Sequence, residues 1–364
     1  MRSVTVLIKP ASSLCNMNCR YCFYADVSRH REIRSYGIME EDTLELLIRR
    51  ALSFAEESCN FVFQGGEPTL AGLGFFRKAI DLQKKYGAGI RISNSIQTNA
   101  LAIDDDWAEF LAQNRFLTGV SLDGSRELHD RFRIDRSGAG TYDRILKNIS
   151  LLEKHGAEFN ILCVVNKYTA QRPEEVYSSL KKYRYIQFIP MIDDFEGGCE
   201  FSLTTEDYAY FLKKVFDLYA ADFFSGKYVS IRDFDNYISI LCGREPSTCA
   251  MTGHCGGYFT AEADGSIYPC DFYVTDEWRL GNIKDSSFHS LAKSEKAKEF
   301  ISSSFCTDEK CRACQWLPLC RGGCRRQREP FPSLNRFCGA YSEFFEHSYF
   351  TMSRIAREVM TRRR

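Results

Sequence analysis

The chain has 364 residues, 44% hydrophobic and 26% charged, enough for one large core and a smaller appendage. Forty-eight basic residues balance forty-eight acidic ones, which excludes a global field drawing the protein to nucleic acid or to an anionic membrane. Sixteen cysteines are the outlier.

The opening residues MRSVTVLIKPASS read as a strand entering a loop, too quickly polar for a secretory core. No apolar run approaches the roughly 18–20 residues of a spanning helix. The expectation is a cytoplasmic monomer without a membrane partner, in a reducing compartment where clustered thiols hold metal. Strands are predicted at 5–9, 60–64, 90–97, 117–122, 158–165 and 185–190, from runs of β-branched and aromatic residues. Between and after them, apolar residues at three- and four-residue spacing predict helices at 41–57, 73–86, 104–113, 142–155, 173–182 and 205–224. Alternating strands and helices mean a parallel α/β sheet, with binding loops at the carboxyl ends of the strands. Six units are too few for a closed eight-stranded barrel, leaving an open partial barrel or a doubly wound sheet.

After about Gly243 the character changes. Cysteines and glycines crowd in, and only short strand pieces at 258–262 and 266–268 flank the Asp264-Gly265 turn signal. A last helix is predicted at 341–360, before Arg362-Arg363-Arg364. The expected organisation is a barrel over 1–235, a cysteine-rich domain over 236–345, and a helix with its tail over 346–364.

Cys15, Cys19 and Cys22 stand at C-x3-C-x2-C spacing in the loop after the first strand. Three thiolates without a near fourth leave a four-iron cubane one iron short of a protein ligand, an open position for chemistry. Zinc with His30 as fourth ligand is the alternative. The spacing, with Tyr21 before the third cysteine, resembles the radical SAM superfamily. That resemblance implies a partial (β/α)6 TIM-like barrel and a [4Fe-4S] cluster that binds S-adenosyl-L-methionine (SAM) and cleaves it to a 5′-deoxyadenosyl radical. It further implies SAM contacts at Gly66 and Glu67 in Gly65-Gly66-Glu67-Pro68, at Ser121, at Arg133, and on the adenine side at Tyr21 and Ile192.

The run Cys255, Cys270, Cys311, Cys314, Cys320, Cys324 and Cys338 resembles the SPASM extension of peptide-modifying radical SAM enzymes. With Cys249 the count is eight, which suits two fully ligated four-iron clusters. The resemblance implies Cys249, Cys255, Cys270 and Cys324 for one and Cys311, Cys314, Cys320 and Cys338 for the other, three [4Fe-4S] clusters in all. Two zinc sites are the alternative. Cys59, Cys163, Cys199, Cys242 and Cys306 are left as core or surface thiols. Arg321, Arg325, Arg326 and Arg328 suggest either a nucleic-acid ribbon or a solvated, cluster-supporting face; without a net basic balance the second is favoured and no nucleic-acid partner is expected.

Ile8-Lys9-Pro10-Ala11-Ser12-Ser13, the Cys22-Phe23-Tyr24 ending and Tyr268-Pro269-Cys270-Asp271 together resemble anaerobic sulfatase-maturating enzymes. That implies oxidation of a Cys or Ser in a Cys/Ser-x-Pro/Ala-x-Arg segment of a sulfatase polypeptide to 3-oxoalanine. Asp271 would be the base, and a ferredoxin or flavodoxin the electron donor. Tyr24 and Gln64 are candidate substrate-side contacts. Two rivals remain open: a related enzyme that crosslinks a precursor peptide, which does not require a base at Asp271, and a non-enzymatic zinc scaffold that binds a protein partner.

Overall fold

The computed structural model describes residues 3–305, 308–329 and 334–361. Cys306 and the three terminal arginines lie outside the described residues. Among the described residues ten strands form: β1 Ser3–Ile8, β2 Ser58–Phe63, β3 Arg91–Thr98, β4 Leu117–Ser121, β5 Phe159–Val165, β6 Tyr185–Pro190, β7 Ser230–Ile231, β8 Tyr258–Ala261, β9 Ser266–Tyr268 and β10 Gly281–Asn282. The α/β class is therefore as expected, and the first six strands fall within two residues of their predicted limits.

The chain forms two compact units, each assembled from separated segments. The first comprises Met1–Ser121, His129–Phe159 and Gly256–Phe300; the second comprises Leu122–Leu128, Asn160–Cys255 and Ile301–Arg364. In the first, β1 pairs parallel with β2, β2 with β3 and β3 with β4. On its other side β1 pairs parallel with β8, in the register Thr5↔Tyr258 to Ile8↔Ala261, and β9 and β10 follow antiparallel. The segment after residue 255 thus supplies three strands to this sheet. The physical reason is that β1 presents unpaired N–H and C=O groups along this side, and a parallel partner satisfies them.

The core of this unit is aromatic. Phe63 of β2 lies 4.9 Å from Phe76 on the helix Gly72–Tyr86, and Phe76 lies 5.1 Å from Trp107 on the helix Asp105–Gln113, between ring centroids. Asp104 caps the latter helix by accepting from the N–H of Trp107 at 2.9 Å. The helix Tyr142–His155 ends at Gly156 in the left-handed region, the residue type that accepts that conformation without a Cβ clash.

In the second unit β5, β6 and β7 pair parallel. The helix Cys338–Thr361 lies along Thr205–Phe224, and Phe344 sits 5.7 Å from Phe216 and 5.5 Å from Phe234. The predicted final helix thus begins earlier, at Cys338. No helix among the described residues is long and apolar enough to cross a membrane.

Candidate active site and cysteine centres

None of the fifteen cysteines among the described residues is in a disulfide. The loop after β1 carries Cys15 and Cys19, and Cys22 is the N-cap of the helix Phe23–Arg29. Backbone bonds from Asn18 to Ile134 (2.8 Å) and from Arg20 to Phe132 (3.0 Å) fasten the loop. Around Cys15, the N–H of Met17 points at the sulfur from 3.4 Å and the Asn99 amide from 3.7 Å. Burial pushes the Cys15 thiol up to about 11, and the charges of Glu67 and Cys22 push in the same direction. Among the described residues no three His, Cys, Asp or Glu side chains gather around a point suited to a single ion.

The loop after β2 is locked onto the cysteine loop. A Cβ at Gly66, where φ is +54°, would stand 2.2 Å from the carbonyl oxygen of Leu14, and the N–H of Glu67 donates to that oxygen at 2.7 Å. Glycine is required there because no other residue lets the two backbones approach so closely. Glu67 is 1% exposed, and its carboxylate accepts from the Thr69 N–H and hydroxyl, the Thr98 hydroxyl and the Asn99 N–H at 2.6–3.1 Å. It therefore ties the ends of β2 and β3 together. Arg133 is buried, with its guanidinium 5.4 Å from the centre of the Tyr21 ring. Ser121 ends β4 in the same unit, whereas Ile192 belongs to the second unit.

Asp271 follows Cys270 beyond β9 and is 6% exposed. Its Oδ2 accepts from the Tyr24 hydroxyl at 2.6 Å and from the Gln64 amide at 3.2 Å, and that amide also donates to Tyr24 Oη at 2.5 Å. Its Oδ1 is buried and has no hydrogen-bond partner among the described residues. Burial raises the Asp271 carboxyl above its ordinary range, while Lys9 and the Tyr24 bond pull it back down. The two side chains proposed as substrate contacts are thus brought onto the proposed base.

Sequence reasoning missed the charges around this group. Lys9, at the end of β1, is 2% exposed; its ammonium lies 3.3 Å from Glu262 and 5.3 Å from the Tyr24 ring centre. Arg31 reaches the same Glu262 oxygen at 2.7 Å. Gly65 makes room for Lys9, because a Cβ there would meet the lysine stem at 2.6 Å. The available signal was Lys9 itself, a lysine at a strand end where the pattern calls for an apolar residue.

In the second unit Cys311, Cys314, Cys320 and Cys338 line one cavity of about 680 Å³, with Trp316, Tyr341 and Phe345 on its walls. Four thiols converging on one cavity are a donor set that suits an iron–sulfur cluster or zinc. Burial, together with the neighbouring Cys249 and Cys255, pushes the Cys324 thiol up to about 12. Cys270 belongs to the first unit. Cys59 and Cys163 are wholly buried core residues and Cys199 is exposed.

A parallel strand-and-helix array with a three-thiol loop after its first strand, followed by further clustered cysteines, defines the class: residues 10–180 match the Radical SAM superfamily, and residues 254–315 match SPASM, an iron-sulfur cluster-binding domain. The chain is 46% identical to a cysteine-type anaerobic sulfatase-maturating enzyme of Clostridium novyi, over the whole of both chains. It is 32% identical to a serine-type enzyme of Bacteroides thetaiotaomicron, over 98% of this chain and 92% of that one. The structure of native anSMEcpe with bound AdoMet and Cp18Cys peptide superposes with a TM-score of 0.92 at 44% identity, covering 98% of this chain and 99% of that one. The chain belongs to the anaerobic sulfatase-maturating enzymes of the radical SAM superfamily.

Proposed function

We propose that the protein oxidises a cysteine in a sulfatase polypeptide to 3-oxoalanine, with Asp271 as the base. The observation that carries this reading is the asymmetric carboxylate of Asp271. Tyr24 and Gln64 hold Oδ2, which fixes the plane of the group, and the buried Oδ1 is left to take a proton. The higher identity to the cysteine-type relative, 46% against 32% for the serine-type one, supports cysteine as the preferred target.

Cys15, Cys19 and Cys22 would hold one [4Fe-4S] cluster, with SAM placed against Tyr21, Gly66, Ser121 and Arg133. Glu67 would act by fixing its loop, since its carboxylate is already filled by four bonds from its own chain. In the second unit Cys249, Cys255 and Cys324, and separately Cys311, Cys314, Cys320 and Cys338, would hold two more. When bound, these groups supply a 5′-deoxyadenosyl radical that removes one hydrogen atom from the substrate Cβ, and a one-electron acceptor. Asp271 receives the thiol proton, and hydrolysis of the resulting thioaldehyde gives the aldehyde and hydrogen sulfide. A ferredoxin or flavodoxin would deliver the electron consumed in cleaving SAM.

The test is anaerobic incubation of the reconstituted protein with dithionite, SAM and paired peptides of the form Cys-x-Pro-x-Arg and Ser-x-Pro-x-Arg. The expected result is 5′-deoxyadenosine together with a mass change equal to replacing CH2SH by CHO, faster for the cysteine peptide. Deoxyadenosine with both peptides unchanged would remove the substrate assignment and leave a radical SAM enzyme acting on another polypeptide.

A further inference from the structure

The four arginines beside the last cysteines do not form a basic ribbon. Arg321 pairs with Glu245 at 2.9 Å and Arg326 pairs with Glu329. Arg325 and Arg328 are 7% and 2% exposed, on a short turn that Cys324 caps. Burial of two guanidinium groups is costly, and solvated phosphates do not explain it.

Their anchors lead back to a cysteine. Arg325 Nη1 donates to Ser303 Oγ at 2.7 Å, and Arg328 Nη2 donates to the carbonyl of Ser304. Ser304 is wholly buried; its hydroxyl accepts the N–H of Cys255 at 2.8 Å and donates to Ile301 at 2.6 Å. One serine therefore joins Arg328 to the backbone of Cys255, while Arg325 and Arg328 stand on the turn that begins at Cys324.

We propose that Arg325 and Arg328 raise the reduction potential of an iron–sulfur cluster held by Cys249, Cys255 and Cys324. This rests on the reading of these thiols as cluster ligands. A cluster becomes more negative by one charge on reduction, so a fixed positive charge beside it stabilises the reduced form. Burial keeps that interaction from being screened by salt. The benefit to the proposed reaction is direct. The substrate loses one hydrogen atom, one proton and one electron, and an acceptor with a raised potential takes that electron.

The test uses the full chain, reconstituted with iron and sulfide and titrated potentiometrically while each cluster is followed by electron paramagnetic resonance. In Arg328→Met one cluster should show a reduced-to-oxidised ratio about tenfold lower at a fixed ambient potential, which is about 59 mV for a one-electron couple. The other clusters should hold their potentials, and Arg328→Lys should restore most of the shift. If every cluster titrates as in wild type, the proposal is overturned. If Arg328→Met fails to load that cluster, Arg325→Met decides by the same measurement, and an unchanged potential there overturns it. Wild-type protein with iron and sulfide for the first cluster alone would overturn the cluster reading itself, and this proposal with it.

Discussion

Tyr24 and Asp271 stand 247 positions apart in the chain, and the hydroxyl of the first donates to the carboxylate of the second at 2.6 Å. The bond is made because the helix after Cys22 and the turn after β9 belong to the same compact unit, with β8 and β9 continuing the sheet from β1. The geometry gives Asp271 one oxygen that is held and one that is available.

Asp271→Asn keeps the shape of the side chain and an oxygen for Tyr24 to donate to, but the amide does not take a proton. Peptide oxidation should fall by roughly 10²–10⁴-fold, the usual worth of a positioned base, while deoxyadenosine continues to form. The ratio of oxidised peptide to deoxyadenosine, by mass spectrometry and chromatography, reads this directly. A loss smaller than about tenfold would mean that another group accepts the proton.

Glu262 is the one carboxylate that both Lys9 and Arg31 address, and all three side chains are 2% exposed or less. Burial pushes the Glu262 carboxyl up, but the charges of Lys9 and Arg31 hold it below the ordinary carboxylate range. Glu262→Gln leaves two buried cations facing a neutral amide. The protein should lose about 3–5 kcal/mol of stability, seen as a lower denaturant midpoint with little change in slope. A change of under about 1 kcal/mol would mean that water or another acceptor replaces the carboxylate.

Two glycines give a matched steric experiment. Gly66→Ala drives a methyl into the Leu14 carbonyl at a positive φ, whereas the Cβ added at Gly74, on the helix Gly72–Tyr86, meets nothing within 4 Å. Gly66→Ala should displace the cysteine loop and cost about 1–3 kcal/mol or more, with reduced iron retention in the first cluster. Gly74→Ala should be neutral or stabilising by up to about 1 kcal/mol. Thermal unfolding and iron analysis of the two variants side by side separate the outcomes.

Asp233, in the first turn of the helix Arg232–Leu241, has its carboxyl pushed up to about 6, mainly by burial. A carboxyl raised in the folded state binds its proton more tightly there than in the unfolded chain. Its contribution to stability is therefore present at low pH and lost as pH rises from about 4 through about 6. Asp233→Asn should accordingly be more stable than wild type at pH 7.5, by up to about 3 kcal/mol, with the advantage shrinking toward pH 5.5. Melting curves across that range, with equal stabilisation at every pH as the contrary result, test the assignment.

Much of the site was legible in the sequence because short-range patterns dictated it. The three cysteines before the helix Phe23–Arg29 owe their placement to a strand that alternates and a loop that follows it, both local properties. The six parallel strands were likewise readable, since they carry β-branched or aromatic residues between segments rich in turn formers. The helix Phe23–Arg29 itself was not predicted. It has only seven residues, and isolated helices of that length lack the cooperativity to leave a strong pattern.

Tertiary structure decided what no local pattern encodes. The sequence by itself placed Asp271 beside Cys270, but only the pairing of β8 with β1 brings Glu262 to Lys9, and only the fold sets Tyr24 and Gln64 on the Asp271 carboxylate. Likewise, the spacing from Cys311 to Cys338 announced metal, but the cavity those thiols share exists because the chain returns on itself at the start of the helix Cys338–Thr361. For Arg325 and Arg328 the sequence left a solvated and a cluster-supporting face both open, and the fold buries them, because burial is a property of what packs against a residue and not of the residue. Spacing along the chain fixes which donors exist, whereas contacts between residues hundreds of positions apart fix their distances, their partners and their charge.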